Sequence, residues 1–182
     1  MHEKVANWLG QIDTITADFQ STFGGLSEDQ LNYKLSEKGW SIAQNVDHLI
    51  VINSTYFPIA AEIKSGTYQQ PFLGKLNFLV SFMGRMLLSG VQPDRKKRTK
   101  TFPLWEPQKS MKGGDILERF EQHQVQLKQM IIDLESHVIS GLVISSPANQ
   151  NIVYRLEDAF NIIIAHEKRH FQQAKEVLSL LS

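Results

Sequence analysis

Apolar residues recur along residues 3–23 at Val5, Trp8, Leu9, Ile12, Ile15, Phe19 and Phe23. Steps of three and four over that length predict an amphipathic helix with one buried face. Gly24 and Gly25 end it, as a glycine pair favours termination. The connector LSEDQLNYKLSEKG follows, with a helical turn predicted after Ser27. Ser41 then reads as the N-cap of a second helix, IAQNVDHLIVINSTYFPIAAEI, and Gln44 three positions on completes a capping box. Pro58 is placed to kink or interrupt this helix, and Gly66 marks its end.

Residues 67–113 are the least regular part. They hold an apolar helical piece over about 74–90, a basic run RKKRTK at 95–100, and the Pro-punctuated stretch FPLWEPQKS. A third helix is predicted after Gly113-Gly114-Asp115, running to about His137 with Ile116, Phe120, Leu127, Ile131 and Leu134 on one side. A turn-rich link, SGLVISSPANQN, leads to a last helix over about 154–181, and no strand is predicted before it. Neither internal repeat nor low-complexity linker interrupts residues 1–182. The chain therefore reads as a single all-α domain, a four-helix bundle with an elaborated connection between helices two and three.

Composition narrows the chemistry. Lys plus Arg number 19 and Asp plus Glu number 19, so the formal net charge is zero. A neutral chain offers no general attraction to nucleic acid or to an anionic membrane. The run Arg95, Lys96, Lys97, Arg98 and Lys100 reads as a solvated loop. With no cysteine, disulfides, thiolate ligands and a cysteine nucleophile are absent, and a metal must use histidine or carboxylate. The charged start MHEKVANWLGQID is unlike a signal peptide, and LNFLVSFMGRMLLSG is too short, and interrupted by Arg85, to span a bilayer. The expectation is a cytoplasmic protein with no membrane or nucleic-acid partner.

Near the end stands HEKRH, residues 166–170. At ~100° per residue, His170 falls ~40° from His166, within the stripe of Ala159, Ile163, Val177 and Leu181. Two imidazoles on a core-facing stripe need partners, and a shared metal supplies one to both. His48 lies at the edge of the apolar face of helix two and comes within reach if helices two and four run parallel. His123 projects from the core side of helix three near Phe120 and Leu127, as a further ligand, a group supporting one, or a core histidine with its own hydrogen bonds.

HEKRH also matches the His-Glu-x-x-His string of zinc peptidases, in which the glutamate is the general base. Here Gln173 replaces the glycine of the extended motif, and Glu176 points away from both histidines. Glu167 projects near ~100°, on the flank of the metal face, where it reads as a partly solvated helix charge with a general base as the minor alternative. The peptidase reading is set aside.

The stretch LSEDQLNYKLSEKGWSIAQNVDHLI, joined at the far end by AHEKRHFQQAKEVL, resembles the DinB-like (YfiT-like) superfamily of metal-binding four-helix bundles. KTFPLWEP resembles the Pro-flanked stretch before helix three in many members, and the likeness runs over essentially the whole chain. The resemblance implies His48, His166 and His170 as ligands of one divalent ion, zinc or nickel, with Trp40 and Ser41 opening helix two. It implies a small-molecule substrate, S-transfer from a low-molecular-weight thiol (bacillithiol, mycothiol or glutathione) or a related hydrolysis, and a homodimer. The competing class is a non-enzymatic bundle whose metal is structural or whose role is protein binding; a fourth protein ligand such as His123 would mark it.

Overall fold

The computed structural model describes residues 1–37, 39–94, 101–107 and 113–181. The basic run 95–100 lies outside the described residues. The fold is mostly helical, and the first predicted helix stands as α1, Glu3–Phe23, with Val5, Trp8, Ile12, Ile15, Phe19 and Phe23 buried. Ser27 and Gln30 form a reciprocal capping box that starts the short α2, Glu28–Asn32. Ser41 and Gln44 form another, starting α3, Ile42–Ser54. Each box satisfies two backbone donors that a helix start otherwise leaves open.

The second predicted helix is two helices. α3 stops at Ser54 and α4 runs Phe57–Ser65. Pro58 has no N–H to donate back to Ser54, so the ladder tightens: Tyr56 N bonds to Asn53 O at 3.1 Å before α4 restarts. Gly66 closes α4 in the left-handed conformation, at φ 74°. α5 then spans Asn77–Gly90, and a 3₁₀ turn, Pro103–Trp105, packs on α3. The third predicted helix ends early: α6 is Ile116–Asp133, followed by α7, Glu135–Ile139.

The link before the last helix differs from the expectation. It is an antiparallel hairpin, β1 Val143–Ser146 and β2 Asn149–Arg155, pairing Ile144 with Tyr154 and Ser145 with Val153. Strand alternation splits its side chains. Ile144 and Tyr154 join the main core, whereas Val143 and Val153 join Val80, Leu73 and Met83 in a small second cluster against α5. α8, Leu156–Leu178, follows directly.

α1 packs on α6 and α8, and α3 packs on the same two helices. Phe19 anchors the first set, with ring centroids 4.8 Å from Phe120 and 5.1 Å from Phe171. At the other end Trp8 meets Phe160 edge-on at 5.3 Å and donates through Nε1 to Asn161 Oδ1. α5 lies on a further side of α8. Among the described residues no helix is long and apolar enough to cross a membrane.

Candidate metal centre

α3 and α8 share an interface, and each brings histidine into it. One turn apart on α8, His166 and His170 place their Nε2 atoms 3.0 Å from each other. From α3, the His48 ring centroid lies 5.1 Å from His166 and 4.7 Å from His170. One nitrogen from each ring lies within 4.8 Å of the others, and among the described residues this is the one group of three such side chains so placed. His48 and His170 are buried and His166 is half-buried, so the cluster is reached from the side of His166.

The outward nitrogens have defined partners. His48 Nδ1 lies 2.6 Å from the carbonyl oxygen of Trp105, across 57 positions of sequence. A carbonyl accepts, so Nδ1 carries the proton and donates it. His170 Nδ1 lies 2.8 Å from Asn45 Oδ1. Asn45 Nδ2 donates to the Ser41 carbonyl at 2.9 Å, which orients the amide so that Oδ1 accepts. Both rings therefore turn a bare Nε2 lone pair toward His166. A proton on His166 Nε2 can bridge to His170, and a cation can displace that proton.

Burial keeps the three imidazoles neutral. It lowers the pKa of His48, against the opposing effects of the Trp105 carbonyl and Asp47. Burial holds His166 and His170 well below the usual histidine range, reinforced by the neighbouring imidazoles and Arg169. Neutral imidazole is the ligand form. Two nitrogens bound at ~2.1 Å to one ion and at right angles sit ~3.0 Å apart, as His166 and His170 do. Three imidazoles without thiolate or carboxylate suit a divalent metal ion. The donor set fits a metal.

One tryptophan ring lies against the cluster. Half-buried Trp40 stacks on His170 with centroids 5.8 Å apart and lies 4.8 Å from His48. Trp105, which holds His48 through its carbonyl, meets Phe102 edge-on at 5.4 Å.

Glu167 corrects the sequence reading. It is 0% exposed, where a partly solvated charge was expected. Its Oε1 accepts from Asn53 Nδ2 at 2.8 Å and its Oε2 from Gln124 Nε2 at 2.9 Å. The reason is that α8 has neighbours on several sides, so a side chain ~100° from the histidines meets α3 and α6 rather than solvent. Burial pushes its pKa up to about 7, against the two amide hydrogen bonds. Both carboxylate oxygens are engaged there, which removes the geometry of a peptidase base. The hairpin supplies the strands that the sequence reading lacked, and it does not restore that base.

His123 lies outside the three-histidine group. Its ring packs on Phe57 at 5.5 Å, its Nε2 is buried without a partner, and burial lowers its pKa to about 4. Sequence reasoning missed Asn45 and the Trp105 carbonyl. Asn45 precedes His48 by three positions on one helix face, which is a legible signal; a backbone carbonyl has none.

Comparison with known proteins agrees with this geometry. The family described as the DinB superfamily matches residues 11–174. A protein of Geobacillus kaustophilus (strain HTA426), provisionally named a metal-dependent hydrolase, is 37% identical over 46 residues, 25% of this chain and 26% of its own length. The chain thus matches about a quarter of that relative. No solved structure matches.

Proposed function

This chain belongs to the DinB superfamily, and on that premise we propose that it is a metal-dependent enzyme in which His48, His166 and His170 hold one zinc or nickel ion. The observation that carries the reading is the pair of Nε2 lone pairs turned inward because Trp105 and Asn45 take the opposite ring protons. A structural zinc takes four protein ligands, whereas this cluster offers three, which favours an open position for substrate. A divalent ion held there supplies positive charge that acidifies a thiol or a water entering beside it.

The chain's own residues set the rest. With Glu167 sealed by Asn53 and Gln124, the nucleophile is activated by charge rather than by that carboxylate. Trp40 and Trp105 hold the rings and narrow the approach to small molecules. We read the reaction as S-transfer from a low-molecular-weight thiol to a small electrophile, in the reduced cytoplasm where such thiols persist. The relative's name favours hydrolysis as a second reading. The fold itself we read as a four-helix bundle of α1, α3 with α4, α6 and α8, elaborated by α5 and the hairpin.

The test is a screen of the ion-loaded protein with bacillithiol, mycothiol and glutathione against aryl halide and epoxide electrophiles, beside ester and amide substrates without thiol. Ion-dependent loss of thiol together with electrophile supports transfer. Turnover of esters or amides that ignores added thiol replaces it with hydrolysis, and inactivity with a tightly held ion points to a binding protein.

A further inference from the structure

We propose that the groove between α4 and α6 binds a neutral phenol, whose hydroxyl meets the buried imidazole of His123. Phe57, Ala60 and Ala61 of α4 and Met130 of α6 supply the apolar lining, and Lys64 and Asp133 line its far end. The groove encloses about 570 Å³, within the range of small-molecule sites. The sequence leaves it open, because Ala60 and Ala61 place two methyl groups where larger side chains would fill the space. At the far end the charges are already matched. Asp133 pairs with Lys64 and accepts from Gln129 Nε2 at 2.7 Å. A charged ligand would have to break that pair, so a neutral one is favoured.

The near end is polar and unmatched. His123 precedes Met130 by two helical turns, ~20° apart about the α6 axis, so it continues the row that lines the groove. Phe57, the first residue of α4, packs on the His123 ring with centroids 5.5 Å apart. Behind it His123 is only 5% exposed, and its Nε2 has no hydrogen-bond partner among the described residues. Burial lowers its pKa to about 4, so the ring is neutral at neutral pH. A hydroxyl both donates and accepts, and it satisfies Nε2 in either tautomer once the half-buried Phe57 ring turns aside. A buried polar atom left unpaired is costly, so a ligand that brings this partner gains over one of the same shape without it. From Phe57 to Lys64 the α4 axis rises ~10 Å, which suits a fused two-ring aromatic.

Titration of the full chain with 2-naphthol at neutral pH tests this, read by naphthol fluorescence and by the ring ¹⁵N signals of the histidines. One saturable site with a Kd on the order of 100 µM is expected, and the His123 ring nitrogens should shift on binding. His123→Leu should weaken binding about tenfold, the loss of one hydrogen bond. Ala61→Trp, at an exposed position, should fill the groove and weaken binding at least about tenfold, with far-UV circular dichroism, melting temperature and ion content unchanged. His48→Ala should leave the affinity unmoved, so this proposal and the metal reading fail separately. No saturation by about 1 mM overturns the proposal, as does undiminished affinity in Ala61→Trp or His123→Leu. Affinity lost with His48→Ala overturns it in favour of binding at the histidine cluster.

Discussion

Two polar clusters bridge α3 and α8, and they are built to opposite ends. In one, His48 and His170 have their outer nitrogens engaged by Trp105 and Asn45, and one nitrogen of each of the three rings is crowded together with the others. In the other, Glu167 takes one amide N–H from Asn53 and one from Gln124 and is sealed from solvent. The first is incomplete without a proton or a cation. The second gives both carboxylate oxygens a donor from within the protein and ties α3, α6 and α8 together. Adjacent letters of HEKRH therefore serve different purposes, since each step along a helix turns the side chain by ~100°.

The largest effect should come from His48→Ala. Ion content should fall from about one per chain to less than a tenth, with affinity down about a thousandfold or more, because two imidazoles on one turn make a poor site. Elemental analysis after gel filtration reads this directly, and a full equivalent retained would dissolve the first cluster as a metal site. Glu167→Ala should do the reverse. Leaving the Asn53 and Gln124 donors buried without an acceptor costs roughly 3–4 kcal/mol of stability, seen as a lower urea midpoint with ion content intact. Lost ion at unchanged stability would erase the distinction between the clusters.

A pH experiment sharpens the contrast with His123, which belongs to neither cluster. Its pKa falls from 6.5 to about 4 on folding, so the unfolded chain binds the extra proton between those values. Its contribution is fully present above 6.5 and lost as pH falls toward 4, on the order of 3 kcal/mol. Glu167 runs the other way. Its pKa rises from 4.5 to about 7, so its contribution is present below 4.5 and lost as pH rises through about 7. The two slopes oppose each other in the wild type. Urea titrations of His123→Leu should show stability rising less steeply from pH 4 to 6.5 than in the wild type, while His48, His166 and His170, also lowered by burial, keep their own rise; an unchanged profile would mean that His123 titrates normally. The smallest effect is expected for Asn45→Ala, which removes the acceptor holding His170. The ion should bind about 10–100-fold more weakly, measured by competition with a chromophoric chelator.

Much of this was legible along the chain. The α1 stripe, the Ser41–Gln44 capping box and the helical ends at Gly24 and Gly66 follow from local rules, and the structure shows them where those rules put them. Residues 143–155 misled because Ser, Pro and Asn read as turn, while the short runs Leu142–Ile144 and Ile152–Tyr154 are too brief to declare a strand until they pair. The histidines were legible as a pair, and as three through family resemblance. Their convergence on one point required α3 to lie against α8.

Local chemistry alone determined that this chain is mostly helical, where α1, α2, α3 and α6 begin, and that any metal it holds must sit on histidine or carboxylate, since those facts depend on periodicity, caps and residue inventory. Tertiary packing decided which imidazole nitrogens are bare, that a carbonyl 57 residues away aims His48, and that Glu167 faces α3 and α6 instead of water. The physical reason is that a helix prescribes angles about its own axis. Which neighbours occupy those angles depends on contacts between residues far apart in the chain.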